Sequence, residues 1–169
     1  MKARVFILLF VSILLTSNTA FGAGVEYYNN TSLGLGSGNR SAEGPDNDDN
    51  TFIGSSAGMS ITYGDKNTFV GTNTGVRTTH GSENTFVGYC AGNRNDWDYG
   101  SEINTGNHNT FIGSYSGYEN TDGDWNTFIG ANTGKENTFG TYNTFVGANT
   151  GQNNLVGEDN TFMGYNAGH

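Results

Sequence analysis

The apolar positions of this chain recur in a nine-residue repeat, and no helical or long-strand pattern accompanies it. The repeat reads Asn-Thr-Phe, then Ile, Val or Met, then Gly, two variable residues, a small residue and Gly. Successive copies start 17 residues apart, except for one interval of 25. A fixed short period indicates units that bury apolar surface only by stacking on their neighbours, so the pattern predicts a solenoid. The seven copies start at Asn50, Asn67, Asn84, Asn109, Asn126, Asn143 and Asn160.

Within each copy, the alternation of β-branched and aromatic residues is typical of a short strand, and the closing small residue and Gly suit a tight corner. The eight residues between copies carry a weaker pattern, with Gly at their sixth position and β-prone segments such as 61–63 and 154–156 before it. The 17-residue period therefore predicts two strands per coil. The expected fold is an all-β parallel β-roll, or β-solenoid.

The same repeat pattern predicts a further copy towards the amino terminus and accounts for the 25-residue interval. A degraded copy begins at Asn30, with Ser32 in place of Phe, which brings the total to about eight coils. The 25-residue interval exceeds one coil by eight residues. A half-coil threaded into a two-strand roll would move every later first strand to the other sheet. We therefore predict that the extra residues loop out around 93–100.

Strand alternation gives the repeat two apolar ladders on opposite sides. The aliphatic ladder is Ile53, Val70, Val87, Ile112, Ile129, Val146 and Met163, and the Phe ladder is Phe52, Phe69, Phe86, Phe111, Phe128, Phe145 and Phe162. One ladder fills the roll, and the other forms an exposed stripe of the kind that marks an interface. Alternation does not decide which ladder faces inward. It predicts a homo-oligomer, either a closed trimer or a head-to-tail fibre.

The Asn that opens each copy stacks on its counterparts in the neighbouring coils. Stacked carboxamides hydrogen-bond along the axis of a cross-β arrangement. The recurrence of this Asn is thus expected to serve the structure rather than a ligand.

The amino-terminal 22 residues differ from the rest of the chain. Lys2 and Arg4 precede an apolar run from residue 5 to 15 and a polar stretch that ends in small residues, which is the layout of a secretory signal. The run is too short to cross a bilayer. We expect residues 1–22 to be removed, residues 23–169 to form the repeat domain, and the protein to be secreted to the cell surface or the extracellular space.

Charge narrows the choice of partners. Of the 7 basic residues, Lys2 and Arg4 lie in the signal, which leaves five against 16 acidic residues. Phosphate binding needs clustered Lys and Arg, so nucleic acid is not an expected partner. Cys90 is the only cysteine, so no disulfide forms within one chain.

The intact copy at residues 84–92 resembles the head repeats of YadA-like trimeric autotransporter adhesins. This similarity spans residues 30–169 and implies a left-handed parallel β-roll that trimerises and mediates attachment. The sequence departs from that family in its longer period and in the Phe where the adhesin heads prefer an aliphatic residue. It also shows no coiled-coil stalk and no carboxyl-terminal anchor pattern.

Catalytic and metal-binding residues do not converge in the pattern. His80, His108 and His169 occupy different phases of the repeat, so we expect no enzyme and no cofactor. The acidic turns could hold Ca²⁺, but their spacing fits no known calcium motif, and solvated turn carboxylates are the preferred interpretation. These acidic residues are Asp46, Asp48, Asp49, Asp122 and Asp124.

One segment combines aromatic and acidic residues where the repeat is interrupted. Asp96, Trp97, Asp98 and Tyr99 lie in the predicted loop, and loops on rigid scaffolds often carry binding contacts. Packing of this loop on its own roll is the competing interpretation. Asp124 and Trp125 are a weaker candidate pair, because Trp125 precedes Asn126 in regular phase.

The sequence thus predicts a secreted bacterial structural or adhesive protein, an oligomeric head or fibre subunit that binds a host surface or matrix ligand. The alternative is an ice-binding solenoid, because one Thr per coil forms a regular row beside the aliphatic ladder. That row is Thr51, Thr68, Thr85, Thr110, Thr127, Thr144 and Thr161.

Overall fold

The computed structural model describes residues 29–38, 48–93 and 106–169, and within these ranges it contains strands and turns but no helix. All strands pair in parallel and in chain order, which builds a single eight-stranded sheet of about seven solenoid turns. The predicted all-β parallel solenoid is confirmed. The predicted signal, residues 1–22, lies outside the described residues. The strands are β1 Thr31–Leu33, β2 Thr51–Ile53, β3 Thr68–Val70, β4 Thr85–Val87, β5 Thr110–Ile112, β6 Thr127–Ile129, β7 Thr144–Val146 and β8 Thr161–Met163.

Every strand aligns with its neighbours position by position. Thr pairs with Thr and Phe with Phe from β2 to β8, and Ser32 takes the Phe place opposite Phe52. The register is unchanged across the 25-residue interval, where Thr85 of β4 faces Thr110 of β5. The interval therefore separates two strands that are direct neighbours in the sheet. Residues 94–105, which carry most of the predicted loop, lie outside the described residues.

The eight residues between repeats form a second limb of each coil, and this limb differs from the prediction. Here the N–H groups of Thr62 and Tyr63 both donate to Thr79 O, at 2.9 and 3.0 Å. Two adjacent donors on one carbonyl do not continue as a parallel ladder, in which the bonds are evenly spaced between different carbonyls. The described second limbs are therefore hydrogen-bonded turns rather than strands, with a single β-bridge residue at Thr78, and the described strands form one sheet.

The interior is filled by the Phe ladder. Phe52, Phe69, Phe111, Phe128 and Phe145 are completely buried. From Phe69 to Phe162 the rings stack nearly parallel, with centroids 4.7 to 5.0 Å apart. This distance matches the spacing of neighbouring strands, about 4.8 Å, so each coil contributes one ring to a continuous column.

The Gly that closes each repeat is required by this column. Gly117 has a φ of +57°, which other residues rarely adopt, and a Cβ there would collide with the ring of Phe111. The same contact with the Phe of the same repeat recurs in the other coils. The corner therefore closes directly against the ring.

A ladder of buried Asn side chains joins the two limbs of each coil to each other and to the next coil. The N–H of Asn126 donates to Oδ1 of Asn109 at 2.9 Å. Its Nδ2 donates to that same oxygen at 3.2 Å and to Gly140 O at 2.7 Å. The Asn thus links the start of its own strand to the preceding coil and to the Gly of its own second limb. The predicted structural role of this Asn is confirmed.

The three carboxyl-terminal coils add a second Asn ladder inside the second limb. Nδ2 of Asn137 donates to Oδ1 of Asn120 at 2.7 Å, and Nδ2 of Asn154 donates to Oδ1 of Asn137 at 2.8 Å. In earlier coils the same buried place is taken by Ile61 and Thr78. Apolar packing and stacked carboxamides are therefore alternative ways to fill this position.

Truncating a central ring should cost far more stability than truncating a terminal one. Phe111 is buried between Phe86 and Phe128, so we expect Phe111→Ala to lower the free energy of unfolding by about 3–5 kcal/mol. Phe162 is only partly buried and stacks on one ring, so Phe162→Ala should cost clearly less. Urea unfolding followed by circular dichroism measures both. Equal losses would contradict the continuous column.

The Asn ladder predicts a pH-dependent defect. Asn126→Asp replaces the Nδ2 donor with a buried carboxylate facing Gly140 O, and it should destabilise the protein by about 3–5 kcal/mol at neutral pH. Burial raises the pKa of this new carboxyl above its unfolded value of about 3.9. The pH-dependent part of this loss is therefore absent below that value and grows as the pH rises through the folded pKa.

Urea unfolding at pH 3 and pH 7 checks this prediction. The difference between variant and unmodified protein should be small at pH 3 and large at pH 7. Asn153→Asp is the matched control, because Asn153 is exposed and its substitution should change little at either pH. A loss for Asn126→Asp that is the same at both values would argue against the donor role of Nδ2.

Candidate binding surface

The outer face of the sheet carries the Thr row and the aliphatic ladder, because Phe occupies the inward position of every strand from β2 to β8. Ile53, Ile112 and Ile129 are each 39% exposed, and Met163 is more exposed still. The Thr side chains of β2 to β6 are half-buried, while Thr144 and Thr161 are exposed. The face is a flat array with rows about 4.8 Å apart along the axis and about 7 Å apart along each strand.

The orientation of the sheet settles the choice that the sequence left open. The Phe ladder is interior, so its five fully buried rings are unavailable to another copy of the chain. Of the two ladders, the aliphatic one is the more exposed. The Phe residues thus form the interior ladder of the repeat, and the predicted contact between copies stays a prediction.

The predicted recognition loop cannot be placed on this surface. Asp96, Trp97, Asp98 and Tyr99 lie outside the described residues. The described residues that flank this segment, Asn93 and Gly106, are both buried.

Two acidic side chains of the described turns accept backbone hydrogen bonds, whereas Oδ1 of Asp48 is buried without a hydrogen-bond partner. Oδ1 of Asp124 accepts from the N–H of Asn107 at 2.6 Å, and Oδ1 of Asp65 accepts from the N–H of Asp48 at 2.9 Å. These carboxylates hold the backbone of the preceding coil. Within the described ranges no three His, Cys, Asp or Glu side chains come together as metal ligands, and Asp46 lies outside those ranges.

The three His side chains make separate contacts. Nδ1 of His80 lies 3.1 Å from Thr79 Oγ1, and its ring packs on Tyr63. Nδ1 of His108 lies 3.2 Å from Glu83 Oε2, and its ring packs on Trp125. His169 is exposed at the last described coil.

Cys90 is buried and has no disulfide. Its side-chain hydrogen bond with the Tyr89 hydroxyl, and a second one from Tyr115, raise the pKa of Tyr89 above its ordinary value. Tyr115 also packs edge-on against both Tyr89 and Tyr118. Tyr89, Tyr115 and Tyr118 therefore form a small cluster between two neighbouring coils.

A column of side chains that the sequence reasoning missed precedes the Asn ladder. The residue before each Asn adopts a left-handed backbone, with φ from +55° to +59° in this set, although none of them is Gly. Such residues project at the edge of the coil, one from each coil. The column is Asp49, Lys66, Glu83, His108, Trp125, Tyr142 and Asp159.

This architecture defines the class of the protein as a parallel β-solenoid with an uncharged, partly apolar sheet face. No family model, curated protein or solved structure matches the chain. No helix in the described residues is long and apolar enough to cross a bilayer.

Proposed function

We propose that this chain is a secreted bacterial surface protein with a structural or adhesive role, whose copies associate through the outer face of the sheet. The observation that carries the proposal is the exposed aliphatic ladder. It follows the whole sheet from Ile53 to Met163, at one residue per coil. Seven side chains at about 4.8 Å intervals make a stripe about 30 Å long.

The energetics favour a contact along the complete stripe. Full burial of such a side chain contributes roughly 1.5–3 kcal/mol, and side chains that are already half-buried on the sheet contribute only part of that. A contact of one or two coils is therefore too weak to offset the entropy lost on association. Two or three solenoids that lie side by side bury every coil at once.

The sheet face itself carries no charge that opposes this contact. The chain is acidic, with a formal charge of -9, yet none of the eight strands contains a charged residue. A contact between these faces therefore brings no like charges of the strands together. The resemblance to YadA-like heads makes a trimer the preferred assembly, and a head-to-tail fibre is the variant that electron microscopy would reveal.

Substitution in the middle of the stripe tests the proposal. We expect Ile112→Thr combined with Ile129→Thr to weaken self-association at least about tenfold, because Thr keeps the β-branched shape but removes apolar contact. Analytical ultracentrifugation of the protein recovered from secreting cells measures this. Tyr63→Thr, on the second limb, is the matched control and should leave the assembly unchanged. An unmodified protein that stays monomeric at high concentration would overturn the proposal.

Ice binding is the second candidate, and the observation that favours it is the uninterrupted register of Thr from β1 to β8. Against it, each strand offers one Thr beside a bulky aliphatic residue. Thermal hysteresis of the purified protein separates the two functions. Its absence at high concentration eliminates this candidate, and its loss in Thr110→Val combined with Thr127→Val would support it.

A further inference from the structure

A second set of exposed apolar side chains lies on the second limbs of the carboxyl-terminal coils, outside the strands. All its members are more than half exposed, from 52% for Leu155 to 66% for Val156. We call this set the aromatic edge. It consists of Trp125, Phe139, Tyr142, Leu155 and Val156.

The aromatic edge is held in place by contacts between coils. The Trp125 ring stacks on His108 with centroids 3.9 Å apart, and the Tyr142 ring lies almost parallel to it at 6.4 Å. The N–H groups of Trp125 and Tyr142 donate to carbonyls of the preceding coil, Asn107 O and Asp124 O, each at 3.0 Å. Side chains fixed in this way lose little conformational entropy when a partner binds.

Carboxylates occupy neighbouring positions of the same coils. Asp124 directly precedes Trp125, and Glu158 and Asp159 follow Val156 after one Gly. Residues 120–169 contain five carboxylates and a single Lys. The edge therefore joins large apolar side chains to a strongly negative surface.

The column of residues that precede the ladder Asn residues has different chemistry in its amino-terminal half. There the equivalent positions are Lys66 and Glu83, whose charged atoms lie 3.9 Å apart, and the contact is exposed to solvent. Apolar exposure before the Asn ladder is thus concentrated in the last coils. The exposed rings of this column are those of Trp125 and Tyr142.

The combination of exposed apolar side chains and carboxylates favours one class of partner over the others. Nucleic acid and anionic membranes are repelled by the carboxylates, and a second copy would bring like charges together. An Arg or Lys side chain is attracted to carboxylates and also packs on aromatic rings. We propose that the aromatic edge binds a cationic polypeptide segment of another protein, in which Arg or Lys alternates with apolar side chains. This inference rests on the proposed adhesive role, to which it adds a ligand surface distinct from the assembly face.

Calorimetric titration of the secreted protein with short synthetic peptides tests the proposal. A peptide that alternates Leu and Arg should bind, a Ser and Arg peptide should bind at least about tenfold more weakly, and a Leu and Glu peptide should not bind. Binding by the Ser and Arg peptide that equals that of the Leu and Arg peptide would overturn the proposal, because charge alone would then suffice.

The left-handed backbone offers a substitution that preserves the fold. Asn tolerates this conformation well, so Trp125→Asn combined with Tyr142→Asn removes both rings without strain. We expect this variant to bind the Leu and Arg peptide at least about tenfold more weakly, as is common for aromatic anchors. Lys66→Asn is the matched control at the same place in an earlier coil and should bind as the unmodified protein does.

The carboxylates are tested by Glu158→Gln combined with Asp159→Asn, which should weaken peptide binding and reduce its salt dependence. Equal peptide affinity of the ring variant and the unmodified protein would overturn the proposal. A change of oligomer size in the ring variant, with peptide affinity intact, would also overturn it by making the edge a contact between copies. Ultracentrifugation of the same samples distinguishes this outcome from failure of the sheet-face assembly, which the Ile112 and Ile129 substitutions report.

Discussion

The buried Asn carboxamide is the interaction on which the rest of the structure depends. A three-residue strand cannot hold a Gly-rich coil by itself, because few backbone bonds form and much backbone entropy is lost. Each ladder Asn adds side-chain bonds to the coil below and to the Gly of its own second limb. Since these groups are buried, every missing bond would leave an unpaired polar atom at a high cost in free energy.

Once the Asn residues are aligned, the other columns follow. The Phe rings stack inside, the Thr and aliphatic rows form the outer face, and the residues before each Asn project along the coil edge. Because every position recurs after one coil, a surface in this fold is a column of side chains rather than a pocket. The aliphatic ladder is the surface proposed for assembly, and the aromatic edge is the surface proposed for a cationic partner.

Much of this could be predicted from sequence because the period is explicit. The 17-residue spacing fixed the parallel order and the register, and the recurring Asn indicated the ladder. Alternation could not say whether Phe52 or Ile53 faces inward, since both are apolar. The second limb looked like a strand at residues 61–63, but two adjacent amides share Thr79 O there, which only the backbone geometry shows.

Most of the aromatic edge was missed for a different reason, and of its members only Trp125 was a candidate from the sequence. Trp125 and Tyr142 are not typical turn residues, so their left-handed backbone had no signal in composition. Their separation by one period, and that of His108 from Trp125, is the signal in the sequence that places them in one column. The predicted loop at residues 96–99 interrupts the repeat, whereas this column follows it.

Hydrogen exchange of the Asn side chains tests the central claim most directly. The account predicts that the carboxamide protons of Asn84, Asn109 and Asn126 exchange only when the solenoid opens, far more slowly than those of exposed Asn153. Measurement by nuclear magnetic resonance resolves each side chain. Exchange of the ladder carboxamides as fast as that of Asn153 would contradict the account.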